Sequence, residues 1–438
     1  MGATAVAAQD EVVDLCSELI RIDTSNYGDP DKGPGERKAA EWVAEKLSDV
    51  GIDSTLLESA PGRASLVGRI EGADSSRPPL LVHGHLDVVP ADAHDWQVDP
   101  FAGEVKDGML WGRGAVDMKD MDAMMLAVFR AMKSEGRKPP RDIVFAFLAD
   151  EEAGGSFGAH WLVQNHPDFF ADCTEAISEV GGFSLTISEQ RRLYLIQTAE
   201  KGMAWMRLRA KGTAGHGSMT NTDNAVTRLA EAVARLGNHE FPLTMTDTVD
   251  RFLRELSEEL GVHYDPNDPE ATVAKLGPLA KIVGATLRNT ANPTMLEAGY
   301  KHNVIPQTAT AMVDGRFLPG QSEEFERQLD AVLGDDVERD YIHHDIAVEA
   351  PFEGPLVEAM TAALLAEDPG ARVVPYCISG GTDAKSFSTL GMTCYGFSPL
   401  LLPPDLDFSA LFHGVDERVP VEGLKFGARV LDSFLMSC

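Results

Sequence analysis

Leu80-Leu81-Val82-His83-Gly84-His85-Leu86-Asp87-Val88-Val89-Pro90 is an apolar run that ends in a His-x-Asp pair and a proline. Pro78 and Pro79 mark where it begins, and its leucine and β-branched content reads as a buried strand. His85 and Asp87 fall just beyond the strand's carboxyl end. Open α/β sheets place ligand sites there, because the chain leaves the sheet into loops whose side chains converge over its edge. An imidazole and a carboxylate two residues apart can supply a metal ligand and the acid that orients it. Taken alone, the pair reads more readily as polar loop residues than as a metal site.

The same pattern recurs outward from this stretch. Ile143-Val144-Phe145-Ala146-Phe147-Leu148 is a second buried strand, and it runs into Asp150-Glu151-Glu152. Adjacent acids at a strand end repel one another unless they share something cationic. A third strand, Ala176-Ile177-Ser178, ends in Glu179 and then Gly181-Gly182. Asp117 opens a helix-like segment from Met118 to Lys133, where the local pattern alone reads it as an N-cap. Strand and helix in alternation imply a mostly parallel sheet. Three strand ends carrying His/Asp, Glu/Glu and Glu favour a metal site over solvated loops. His85, Asp117, Glu152, Glu179 and, near the carboxyl end, His413 make a mixed nitrogen and oxygen donor set suited to zinc or a similar ion. Five donors are too many for one tetrahedral ion. They suit two ions about 3.5–4 Å apart that share a bridging carboxylate.

Length and composition bound the rest. A chain of 438 residues exceeds one compact core, so two domains are expected. No apolar run is long enough for a transmembrane helix, and the amino terminus has neither the basic nor the leucine-rich region of a signal peptide. Net charge is −31, from 69 acidic against 38 basic residues, which disfavours nucleic acid and anionic membranes as partners. Five scattered cysteines without a Cys-x-x-Cys motif fit a reduced, cytoplasmic protein, with Cys16, Cys377 and Cys394 as core thiols.

From about residue 200 the pattern changes to an α+β unit. Met203–Lys211 alternates as a strand, and Gly215-His216-Gly217-Ser218 forms a small-residue turn. A helix over 224–236, a polar helix-forming insertion over 239–291, and strands near 294–300 and 309–316 follow. The fold expected is α/β: a mostly parallel-sheet catalytic domain over 1–199 and 351–438, interrupted by an inserted α+β lid or dimerisation domain over 200–350.

These motifs resemble a family of zinc hydrolases, that of acetylornithine deacetylase, succinyl-diaminopimelate desuccinylase, aminoacylase and glutamate carboxypeptidase. The resemblance rests on His83–Pro90, on Trp111-Gly112-Arg113-Gly114-Ala115-Val116-Asp117-Met118-Lys119, on Ala149–Gly155 and on Glu179. It continues in Gly215–Ser218, Asn303-Val304-Ile305-Pro306, Asp314-Gly315-Arg316, Gly380-Gly381-Thr382-Asp383 and His413-Gly414, in family order over most of the chain. The resemblance implies two Zn2+ per subunit, with Co2+ or Mn2+ as alternatives. Asp117 would bridge them, His85 and Glu179 completing one site, Glu152 and His413 the other. Asp87 would orient His85, and Glu151 would be the general base. His216 would reach the active site of a partner subunit in a homodimer and bind the oxyanion there. Asn303, Arg316, Gly380, Gly381 and Thr382 would hold a free carboxylate, Arg316 because its planar fork matches one bidentately. An ion pair with Asp314 is the competing reading of Arg316, and a plain turn histidine that of His216.

The implied activity is hydrolysis of an amide beside an amino acid's free carboxylate, by a metallo-exopeptidase acting on small peptides. N-acyl-amino-acid deacylation is the alternative on the same machinery. A silent metal-binding protein would require loss of Glu151 or a ligand, and every such position is filled. Glu179 leans toward the carboxypeptidase and deacylase branch. One departure is Asp120-Met121-Asp122, where the family has glycines. At a helix start these acids would suit the dipole.

Overall fold

The computed structural model describes residues 6–29, 31–188, 191–276 and 280–438. Residues 1–5 of the amino terminus, where no signal peptide was expected, and residues 277–279 of the 239–291 insertion lie outside the described residues. Two compact units are present. The first comprises Met1–Thr198, Ala350–Tyr376 and Thr382–Cys438, the second Ala199–Glu349 with Cys377–Gly381. Residues 377–381 thus group with the second unit, although the sequence placed everything beyond 350 in the catalytic domain.

The first unit is built on a sheet whose centre is parallel: Ile143–Leu148, Leu80–His85, Glu175–Ser178 and Thr393–Gly396, in that order. Antiparallel strands flank it, Arg63–Ile70 and Ser54–Ala60 on one side and Arg191–Glu200 on the other. Every residue of Leu80–His85 and Ile143–Leu148 is buried, which is why these runs do not alternate: helices cover both sheet faces. Ala8–Ile20, Lys119–Glu135 and Val421–Leu435 pack on one face, while Ala159–Asn165 and Ala384–Ser388 sit with Phe170 on the other. The Phe145 ring lies 5.3 Å from that of Phe129 and 6.2 Å from that of Phe147. Phe145→Ala is expected to destabilise this unit by about 3–5 kcal/mol through lost burial and a residual cavity. Urea unfolding should show a lower midpoint at unchanged slope.

Helix Lys119–Glu135 corrects two expectations. Asp117 is not its cap: the N-cap position is Met118, with no side-chain capping bond. Asp120 and Asp122 do not sit on a solvated first turn either. Every residue from Lys119 to Phe129 is buried, because the helix runs between the sheet and the helices Ala8–Ile20 and Val421–Leu435. Asp122 lies against Gly84, and a Cβ there would come within 2.4 Å of Asp122 Oδ1. Burial pushes both carboxyls well above the usual range.

The second unit carries a four-stranded antiparallel sheet in the order Thr290–Ala298, Thr308–Phe317, Gly202–Lys211, Glu338–His344. Burial alternates strictly along Gly202–Ala210, as period-two strands with one covered face require. Ala204, Met206 and Leu208 turn toward helices Ala225–Gly237 and Ser322–Leu333. The insertion forms Asp247–Leu260, whose first turn is capped by Thr246, and the short helices Pro269–Val273 and Ala280–Gly284. All five cysteines are free and buried, Cys173 and Cys438 as well as the three expected. No helix among the described residues is long and apolar enough to cross a membrane.

Candidate metal centre

Strand ends of the first unit deliver the polar groups. His85 is the last residue of Leu80–His85, and Glu179 follows directly on Glu175–Ser178. Glu151 and Glu152 lie three and four residues beyond Ile143–Leu148, reached through Asp150 in the left-handed conformation (φ 68°). Asp117 closes the irregular run after Trp111, and its peptide bond to Met118 is cis. His413 also has positive φ (57°).

These side chains form two groups that share Asp117. His85, Asp117 and Glu179 make one, Asp117, Glu152 and His413 the other, with donor atoms in each within 4.8 Å of one another. Asp117 uses a different oxygen toward each: Oδ1 is 3.1 Å from His85 Nε2, and Oδ2 is 3.2 Å from His413 Nε2. Glu179 Oε2 lies 3.5 Å from His85 Nε2, and Glu152 Oε2 3.0 Å from His413 Nε2. Glu151 belongs to neither group, its Oε2 standing 3.9 Å from His85 Nε2.

The electrostatics of the cluster follow from its crowding. Burial and then the Asp117 charge push Glu152 up to about 7. Burial and then Glu179 raise Glu151 well above the carboxylate range. His413 is raised to about 10 by its bonds to Asp117 and Glu152. Burial opposes charge on His85, but Glu179, Asp117 and Asp87 outweigh it and raise that imidazole well above its usual value. Asp117 goes the other way: burial opposes its charge, but the two imidazoles hold its carboxyl well below the usual range. Two imidazoles and three carboxylates, one of them facing both ways, fit a pair of divalent cations.

Asp87, expected to orient His85, touches that ring and has further partners. His85 Nδ1 bonds the backbone carbonyl of Asp87 at 2.9 Å, while the Asp87 carboxylate lies farther off, at 3.6 Å. That carboxylate also accepts from the backbone N–H groups of Glu151 and Glu152, at 3.1 Å each. The reason is position: a fully buried carboxylate takes the free donors at the start of the 151–153 turn. Asn26, which the sequence does not single out, donates to Asp87 Oδ2 (2.8 Å) and Asp150 Oδ1 (3.1 Å) and accepts from Arg63, itself paired with buried Glu36. No local pattern could have found these, since the partners lie 61 and 124 residues away along the chain. His83, assigned to packing, is buried against the Phe387 ring at 4.7 Å, and burial lowers it to about 3.

The remaining predicted residues, Thr382 excepted, belong to the second unit. His216 is exposed, in register with Val304 on a two-stranded ladder, and Gly217 N–H donates to the Asn303 carbonyl at 2.9 Å. Its Nδ1 meets Ser218 Oγ at 2.8 Å, the contact of a turn histidine. Arg316 Nε donates to Asp314 Oδ1 at 2.7 Å, so the competing ion pair is present. Asn303 Oδ1 is buried with no hydrogen-bond partner among the described residues. Gly380 has open space where a Cβ would stand, and Gly381 follows it at the end of the Cys377–Gly381 segment. In the first unit Thr382 is buried, its Oγ1 accepting from Ala384 N at 3.2 Å.

A shared-carboxylate donor cluster at the strand ends of a parallel α/β sheet is an arrangement that could hold metal ions. The chain belongs to peptidase family M20/M25/M40, whose model matches residues 81–437. It is 28% identical over 436 residues to an N-fatty-acyl-amino acid synthase/hydrolase of Xenopus tropicalis, covering 95% of this chain and 83% of that protein. It is 27% identical over 416 residues to aminoacylase-1 of Sus scrofa, covering 93% and 90%. Among solved structures, an M20 family metallo-carboxypeptidase from Sulfolobus solfataricus superposes with a TM-score of 0.74 at 18% identity, covering 98% of this chain and 99% of that one. The protein is accordingly a hydrolase of peptide or other amide bonds.

Proposed function

We propose that this chain is a two-metal exopeptidase that cleaves the amide beside a free-carboxylate amino acid, with zinc as its ion and Glu151 as its general base. The observation that carries the reading is the division of labour around Asp117: both of its oxygens are engaged by donor groups, while Glu151 stands beside them outside both groups. His85 and Glu179 would hold one ion, Glu152 and His413 the other. When bound, the ions supply Lewis acidity to the scissile carbonyl and acidify the attacking water. Glu151 accepts the proton from that water at a carboxylate oxygen and returns it to the leaving nitrogen. Asp87 keeps Glu151 in place by receiving its backbone N–H. Arg316, Asn303, Gly380, Gly381 and Thr382 would bind the substrate carboxylate, Arg316 after exchanging Asp314 for it. A homodimer in which His216 serves the neighbouring subunit goes with this reading. So does a cytoplasmic location, which five unpaired buried thiols favour.

Likeness to aminoacylase-1 and to an N-fatty-acyl-amino acid hydrolase favours a second reading, deacylation of an N-acyl amino acid. The test is turnover by zinc-loaded protein on dipeptides and on the same amino acids carrying acetyl, succinyl or longer acyl groups. Faster dipeptide cleavage supports the exopeptidase, and faster cleavage of an acyl series replaces it with the deacylase. Chelation is expected to remove all turnover on either series, and zinc to restore it. Turnover that survives dialysis against chelator, with metal analysis reading zero, overturns both.

A further inference from the structure

We infer that Glu417 is a positioning residue that holds the Asp117 and His413 backbones in one frame, so that both donors meet the same ion. The inference rests on the two-metal reading. Glu417 is completely buried, and its carboxylate is surrounded by donors. Oε1 accepts from the backbone N–H of Val116 at 2.7 Å and of Asp117 at 3.2 Å. Oε2 accepts from Gly114 N–H at 3.1 Å and Arg113 Nη1 at 2.7 Å. The Glu417 carbonyl accepts from Gly112 N–H at 3.0 Å. The run from Gly112 to Asp117 has no strand or helix of its own, so this one residue takes most of its free backbone donors.

Glu417 also stands four residues after His413. Immediately beyond it Arg418–Pro420 pairs antiparallel with Met109–Trp111, and just before it Asp416 accepts from Gln97 N and Nε2 at 2.8 and 2.7 Å. The His413 loop is therefore anchored on both sides of the residue that orients Asp117. An ordinary loop staple would bond anywhere along the run. Here one donor is the amide of the bridging residue itself, and that amide fixes the direction in which the Asp117 side chain leaves the backbone. Arg113, stacked 5.2 Å over the Trp96 ring, offsets part of the cost of burying that charge.

Glu417→Gln keeps the shape but turns an NH2 group toward two backbone N–H donors. Loss of such support behind a ligand typically weakens metal binding by about 10–100-fold. Zinc affinity would be measured by competition with a chromophoric chelator, alongside the melting temperatures of the metal-free and zinc-loaded proteins. The expected result is affinity lowered by about 10–100-fold, a smaller zinc-induced rise in melting temperature, and kcat restored by excess zinc with KM unchanged. Wild-type affinity in Glu417→Gln, whatever happens to the metal-free melting temperature, overturns the inference. If Glu417→Gln does not fold, Glu417→Asp, which keeps the charge and shortens the reach, is expected to bind zinc about 10-fold more weakly, and equality with wild type overturns the inference there. Failure of the underlying reading looks different, because wild-type protein would then bind fewer than two ions per chain.

Discussion

Glu151→Gln is expected to lower kcat by about 10²–10⁴-fold, the usual contribution of a positioned general base, while leaving metal content and KM unchanged. Gln is isosteric, and the backbone of residue 151 is held independently by Asp87 Oδ1, so the substitution removes proton-accepting capacity and little else. Glu151 Oε2 is 3.9 Å from His85 Nε2 and outside both donor groups, so ion binding does not depend on it. Equal losses in kcat and kcat/KM would mark an interaction made only in the transition state. Retention of more than about a tenth of wild-type kcat, far above the residue expected after loss of a general base, would remove Glu151 from the mechanism. Loss of metal in parallel with activity would instead make it a ligand.

The places where local sequence reading worked and failed divide along one physical line. His85, Glu152 and Glu179 were legible because buried strands announce themselves as apolar runs, and their polar ends must lie at the sheet's edge. The inserted antiparallel sheet was legible through the alternation of Gly202–Lys211 and Thr308–Phe317. Asp117 was ambiguous from its own segment, because an acid before a helix is a favoured cap. Only the approach of His85 and His413 to its two oxygens places it within the donor cluster. Asp120 and Asp122 were misread, since dipole reasoning assumes solvent at the helix start, whereas the Met- and Ala-rich run behind them is buried all round. That density of small and flexible apolar residues was a signal of central burial. Asn26, Arg63, Glu36 and Glu417 have no local signature. They act by bonding segments up to 304 residues apart, as Arg113 and Glu417 do, and such pairings exist only once the sheet has formed. The strand Arg191–Glu200 carries the apolar run Leu193-Tyr194-Leu195-Ile196, a strand signal that the sequence reading passed over.

Asp117→Asn should have the opposite signature from Glu151→Gln: metal is lost first, and activity with it. An asparagine keeps one carbonyl oxygen but presents an NH2 group where the second ligand atom stood. Of the two contacts, 3.1 Å to His85 and 3.2 Å to His413, only one can remain that of an acceptor able to ligate an ion. The expected stoichiometry is one zinc or fewer per chain, against two in the wild type. Removing Lewis acidity worth several kcal/mol of transition-state stabilisation predicts a fall in turnover of about 10³-fold or more. The metal-free fold is expected to lose some stability as well, because burial of the Asp117 carboxyl is outweighed by the bonds and charges of His413 and His85, which hold it well below the usual range. The larger difference is expected when zinc is present. A ligand at 100 times its dissociation constant stabilises the native state by about 2.7 kcal/mol per site, and a lost site forfeits that increment. Calorimetry with and without zinc therefore separates the two variants: Glu151→Gln keeps the zinc-dependent rise in melting temperature, and Asp117→Asn loses at least half of it. Two tightly bound ions in Asp117→Asn would show that the shared carboxylate is not the bridge, and the division of labour around it would have to be redrawn.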